Sequence, residues 1–221
     1  MKKSLLYLTG ICAALLSLFS CSDDNEAYNP YGNWQVRNAE YFEQVATTAR
    51  TAIAEAKAVY GDSEWEEHCE WRMFKTYHKP QGVAGATTDS ICVRIEKKGT
   101  GKGCPTYSDS VRVNYRGWLI PTQYMENGEL VTREEVFSQS FYGELDPALA
   151  VPALLGVSST VYGFSTALQY MHVGDIWWIY MPYELAYGST DNETIPAFSL
   201  LKYYVNLVDY YSPGSGVPDW K

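Results

Sequence analysis

The chain has 221 residues and carries 26 acidic against 17 basic side chains, a formal net charge of −9. A length of this order suits one domain with an appendage, at about 100 to 200 residues per domain. A surface this acidic repels phosphate backbones and offers no basic footprint, which excludes nucleic-acid binding as a main role.

At the start of the chain, Lys2 and Lys3 precede an apolar run from Leu5 to Phe19. The run is shorter than the roughly 20 residues of a membrane span and leads directly into Cys21. The pattern resembles a bacterial lipoprotein signal over residues 1–20, in which cleavage before Cys21 leaves that residue to carry lipid. Residues 21–32 then form an acidic tether, opening with Ser22, Asp23 and Asp24. An acidic run directly after the cysteine resembles an outer-membrane export tag. The expected location is therefore the cell envelope, with the protein anchored in a membrane through lipid on Cys21 and the surface-exposed outer membrane as the expected site. Loss of Lys2 and Lys3 with the leader makes the remainder still more acidic.

Apolar residues recur at helical spacing from Val36 to Val59, at Ala39, Phe42, Val45, Ala46, Ala49, Ile53, Ala56 and Val59. Asn33 is placed to cap this helix and Gly61 to follow its end. The apolar stripe must be covered, either by the rest of the chain, which favours a monomer, or by a second copy. Trp71 to Tyr77 reads as a first strand and Lys79 to Asp89 as a loop. Ser90 to Lys97 and the Val111, Val113, Tyr115 run alternate apolar with polar, which predicts strands with one wet face. Pro121 to Glu135 has no clear periodicity and reads as an insertion. Phe137 to Phe141 resumes strand character, Pro147 to Gly156 reads as a proline-bounded apolar loop, and Phe164 to His172 as a short helix. Ile176 to Met181 and Leu200 to Val208 are β-branched and aromatic runs flanking a loop with Tyr187, Gly188, Ile195 and Pro196.

Cys12 leaves with the leader and Cys21 is assigned to lipid, so Cys69, Cys92 and Cys104 remain. They make either one disulfide with a spare thiol or three buried small apolar residues. No C-x-x-C spacing supports a metal or redox site. Gly163-Phe164-Ser165-Thr166-Ala167 is superficially like a nucleophile elbow, but only His68, His78 and His172 are available as a base, and His172 lies on the same expected helix. His68 beside Cys69, with His78 beyond, is equally thin as a metal site.

The segment Gly163 to Asp175 (GFSTALQYMHVGD), followed by Tyr183 to Gly188 (YELAYG) and Ile195-Pro196, resembles the core of an FK506-binding-protein (FKBP) type peptidyl-prolyl isomerase, whose signature runs G-W-x-x-A-L-x-x-M-x-V-G-D, P-x-x-L-A-Y-G, I-P. Upstream, Glu96 to Gly101 and Asp109 to Gly117 resemble its opening strands. The resemblance implies an α+β fold, a curved antiparallel β-sheet wrapped on a short α-helix, preceded here by the N-terminal amphipathic helix. The implied division is 33–68 for the helical segment, 69–211 for the FKBP-like domain and 212–221 for a C-terminal tail. It also implies a pocket in which Tyr187, Phe137, Phe164 and Val161 act on the substrate while Tyr115, Thr160, Ile195 and Tyr203 bind it. Phe164 stands where the best-known members carry tryptophan, and Ser138 stands where an acid usually follows the phenylalanine. The implied activity is cis-trans isomerisation of X-Pro bonds in exported proline-containing polypeptides, with no cofactor and no metal. The rival is a non-catalytic module of the same fold that contacts protein or glycan, which exposed Trp65, Trp71 or Trp118 would favour.

Overall fold

A computed structural model describes residues 28–220. The expected leader, the lipidation site Cys21 and most of the tether lie outside the described residues.

The chain opens with α1 (Trp34–His68) and continues through β1 (Trp71–Lys75), β2 (Ser90–Lys97), β3 (Ser110–Trp118), β4 (Thr122–Glu126), β5 (Glu129–Arg133), β6 (Val136–Gln139) and β7 (Ala153–Gly156). It ends with α2 (Tyr162–Leu168), β8 (Ile176–Met181) and β9 (Leu201–Tyr211). The main sheet runs β1-β2-β8-β9-β3-β6, every pairing antiparallel, with β7 pairing β3 beside β6. This is the α+β architecture expected, and β2 and β8 have the anticipated bounds.

The sheet is packed on both faces. On the inner face α2 lies so close that a Cβ at Gly163 would sit 2.8 Å from the Met181 Cβ. Ile91, Val93, Ile179, Met181 and Leu168 are fully buried there. On the other face α1 buries Trp34, Asn38, Phe42, Ala46, Ala49 and Ala56. Its small alanines let the helix approach the strands closely. Polar pins fix its first turns: Trp34 Nε1 donates to Ser199 Oγ (2.8 Å), and the Leu200 amide donates to Asn38 Oδ1 (2.7 Å).

Several sequence expectations change. Asn33 stands at the start of α1 but in the left-handed region (φ 52°) without a side-chain cap; its carbonyl accepts from the Arg37 amide instead. Gly61 (φ 75°) interrupts the helix rather than ending it, because the chain turns and continues helical to His68. Ala39 and Val59 of the expected stripe are exposed; Trp34 and Asn38 take up the buried face. The single wet face expected of β2 and β3 is also lost. Ile91, Cys92 and Val93 are buried in succession because α1 covers the second face. In β3, Arg112 is buried beneath the returning C-terminus, donating to the Pro218 carbonyl at 2.6 Å and lying 5.4 Å from the Trp220 ring.

The expected irregular insertion is a hairpin, β4 with β5, closed by Asn127 (φ 52°) and Gly128 (φ 83°). Asn-Gly with both residues at positive φ is the two-residue turn whose twist matches paired strands. The Pro147 to Gly156 loop yields β7, because Ala153–Gly156 finds the free edge of β3. The short helix begins at Tyr162 and stops at Leu168, before the expected His172. Among the described residues Cys69, Cys92 and Cys104 form no disulfide, and the first two are buried.

Cys92 and Tyr180 are cross-strand partners on the covered outer face. Burial pushes the Cys92 thiol up to about 12 and the Tyr180 phenol up to about 12. The folded chain therefore keeps protons that the unfolded chain releases near about 8.5 and 10, so this stability is present below those values and lost as pH rises through the folded ones. Thermal unfolding at stepped pH should show a melting temperature that falls steadily above about pH 9; an unchanged melting temperature up to about pH 11 would contradict this assignment.

Candidate active site

An open cavity of about 330 Å³ lies between α2 and the inner face of the sheet, lined by Tyr115, Ser138, Leu155, Ser159, Thr160, Val161, Phe164, Tyr187 and Tyr203. Its size is at the lower end of ligand sites, about 300 to 1,000 Å³. None of these nine residues is an acid, a base or a histidine.

The floor is aromatic. Phe164, on the first turn of α2, meets Tyr203 of β9 edge-to-face at 4.9 Å and Tyr115 of β3 at 6.3 Å. Phe137 of β6 packs edge-to-face behind Tyr203 at 5.3 Å. These rings converge because Gly117 stands opposite Tyr203 in the β3–β9 register. A Cβ at Gly117 would lie 2.6 Å from both Phe137 Cζ and Tyr203 Cε1.

The polar groups are few. The Tyr115 hydroxyl is 3.2 Å from Ser138 Oγ, so a neutral serine partners it where the resemblance leads one to expect an acid. Val161 immediately precedes α2, and its carbonyl accepts from the Ser165 amide at 2.9 Å. Among the described residues the Val161 amide itself has no acceptor. Tyr187 is 46 % exposed at the rim. Its loop is held by two backbone bonds, Gly188 amide to Tyr183 carbonyl and Phe198 amide to Gly188 carbonyl, both 2.9 Å. Gly188 takes φ 69°, a turn that a side chain would strain.

Six of the eight pocket residues anticipated from sequence, namely Tyr115, Thr160, Val161, Phe164, Tyr187 and Tyr203, line one cavity. Phe137 supports Tyr203 from behind instead, and Ile195 is buried in its loop, its amide bonded to Asn192 Oδ1 at 2.8 Å. Leu155 and Ser159 were not anticipated. Leu155 comes from β7, which the sequence disguised as a loop; its only sequence signal is the Ala-Leu-Leu run after Pro152.

Other chemistry finds no support. Ser165 is buried within α2 and its Oγ accepts from Gln169 Nε2 at 3.2 Å. His172 Nε2 faces Cys104 Sγ at 3.7 Å, away from that serine. His68 stacks on Tyr60 (3.7 Å), His78 packs at a tilt against Tyr162 (3.8 Å), and among the described residues no three metal-ligating side chains come together.

Residues 101–208 match the family model for FKBP-type peptidyl-prolyl cis-trans isomerase. They form an FKBP-type domain. Among curated proteins, the chain is 29 % identical over 146 residues to the macrophage infectivity potentiator of Trypanosoma cruzi, covering 66 % of this chain and 65 % of that protein. It is 32 % identical over 132 residues to the FKBP-type 22 kDa peptidyl-prolyl cis-trans isomerase of Escherichia coli strain K12, covering 59 % and 54 %. It is 26 % identical over 136 residues to the outer membrane protein MIP of Legionella longbeachae, covering 62 % and 50 %. The chain thus spans between 50 % and 65 % of the length of these relatives.

In this FKBP-type domain the Gly117→Ala variant tests how the aromatic floor is held. The added methyl has to push Phe137 and Tyr203 toward the cavity, at a cost of about 1 to 3 kcal/mol for overpacking. Denaturant unfolding should show that loss, and near-ultraviolet circular dichroism should change in the tyrosine band. An unaltered aromatic spectrum would mean that the rings are not set by the absence of a side chain at 117.

Proposed function

We propose that this protein accelerates cis-trans rotation about X-Pro bonds in exported polypeptides, and so helps them fold. The observation that carries this is the uncharged, aromatic-floored cavity with a free amide at Val161 and a rim phenol at Tyr187. Rotation must cross a barrier of about 18 to 20 kcal/mol that arises from amide resonance. Resonance places charge on oxygen and nitrogen, and water stabilises that charge. A site walled by Phe164, Tyr203 and Leu155 withholds the water and weakens the planar form. The Val161 amide and the Tyr187 hydroxyl hold backbone carbonyls of the bound segment while the prolyl ring rests on Phe164. No nucleophile, metal or cofactor takes part. A gain of about 4 kcal/mol in the twisted state corresponds to roughly a thousandfold acceleration.

The same reading divides the chain into a helical segment (33–68), the isomerase domain (69–211) and a tail (212–221), with lipid on Cys21 holding it at the outer membrane of the cell envelope. The name of the Legionella longbeachae relative supports that location. A monomer is favoured because α1 spends its buried face on its own sheet. The rival glycan-binding reading loses its support at the tryptophans. Trp65 lies under Arg72 (4.6 Å), Trp71 stacks with Tyr180 (6.1 Å), Trp118 packs against Trp178 (5.4 Å), and none of the three is exposed.

The test is the rate of cis-to-trans conversion of a short Leu-Pro peptide. The wild type should accelerate it, and combining Tyr187→Phe with Phe164→Ala should lower the catalysed rate at least about tenfold, or about 1.4 kcal/mol. An inactive wild type would sink the isomerase reading. So would a double variant as fast as the parent.

A further inference from the structure

Tyr203 is 7 % exposed, and its ring is clamped by Phe164, Phe137 and Tyr115 above Gly117. A tyrosine buried to this degree normally has a partner for its hydroxyl. Here the hydroxyl bonds to no described group. Nor is it sealed in the interior, since the enclosed side-chain polar atoms without a partner among the described residues are Asn114 Oδ1, Arg116 Nε and Trp177 Nε1. The small exposed part of Tyr203 therefore includes its hydroxyl, on a residue that lines the cavity. The Tyr115 hydroxyl, by contrast, already has a partner in Ser138 Oγ at 3.2 Å, a pair in which either oxygen can donate.

We infer that Tyr203 is a catalytic residue that donates a hydrogen bond to the prolyl nitrogen of the twisted amide. This rests on the isomerase reading of the cavity and assigns a step within it. In a planar amide the nitrogen lone pair is shared with the carbonyl and accepts no hydrogen bond. Near a right-angle twist the pair is localised on a pyramidal nitrogen, which becomes an acceptor. A donor placed at that nitrogen thus binds the transition state and not the ground state. Val161 and Tyr187 stand at the mouth to hold carbonyls, while Tyr203 stands at the floor, 4.9 Å ring to ring from the Phe164 surface on which the prolyl ring rests. No bond is made or broken in the protein. Burial, then the neighbouring Tyr187 and Tyr115, raise the phenol's pKa far above its ordinary value, so it remains protonated as a donor.

Tyr203→Phe removes only the oxygen and keeps the ring that fills the floor. Loss of one neutral hydrogen bond should lower kcat about three- to tenfold with KM unchanged. Thermal unfolding checks that the fold persists. A second substrate keeps the test readable even if the variant is less stable: a peptide with 4,4-difluoroproline, whose nitrogen is the poorer acceptor. The wild-type advantage over the variant should shrink on that peptide. Equal kcat in the two proteins, a loss confined to KM, or an advantage identical on both peptides overturns the role of Tyr203 while leaving the isomerase reading intact. An inactive wild type sinks that reading itself.

Discussion

The long antiparallel pairing of β3 with β9 is the constraint on which the site depends. Its register sets Gly117 opposite Tyr203 and Tyr115 opposite Val205. A slip of one residue would turn Tyr203 to the opposite face, since successive side chains alternate. The cavity would then lose one of its three tyrosine rings, and Phe137 would lose its partner. β9 lies between β8 and β3, with hydrogen bonds to both neighbours. The strand that carries the floor is thus among the most constrained in the molecule, while the rim residue Tyr187 sits on a loop.

The N-terminal helix reaches this strand from the other side. Trp34 bonds to Ser199 and Asn38 to the amide of Leu200, the two residues that lead into β9. Ser199 in turn donates to the Pro196 carbonyl at 2.6 Å, closing the loop that begins beyond Tyr187. α1 is therefore more than a cover for an apolar face. It fixes the entry to the strand that supplies Tyr203 and steadies the segment bordering the cavity. The buried Asn38 side chain is tolerated because both its ends are satisfied, Nδ2 donating to the Trp34 carbonyl at 2.7 Å and Oδ1 accepting from the Leu200 amide at 2.7 Å.

The site is neutral in a strongly acidic chain. Charges cluster elsewhere, on the exposed face of α1 and on pairs such as Lys202 with Glu134 at 2.8 Å. The Tyr115–Ser138 contact keeps a phenol oriented without introducing a carboxylate, so the cavity favours apolar and weakly polar guests. That suits a reaction in which charge is dispersed rather than created, and where excluding water contributes more than any single ionisable group.

What the sequence determined by itself were the features with a local cause. β-branched and aromatic runs gave β2 and β8 at their true bounds, helical spacing gave most of α1, and the ordered motifs around Gly163 to Asp175, Leu185 to Gly188 and Ile195-Pro196 gave the fold, with Phe164 and Tyr187 inside them and Tyr115, Thr160, Val161 and Tyr203 on other segments of the same family pattern. Asn127-Gly128 was equally local and legible as a hairpin turn, but weak strand composition on either side hid it. Tertiary structure alone decided the rest. β7 became a strand only because β3 has an open edge for Ala153–Gly156 to bond. The faces of β2 and β3 that alternation marked as wet are dry because α1 and the C-terminal segment, distant in sequence, lie across them. Phe137 moved from contact residue to support because a glycine on the neighbouring strand left room for its ring. Periodicity reports which residues can share a face; only the packed chain decides what covers that face and which of its side chains border empty space.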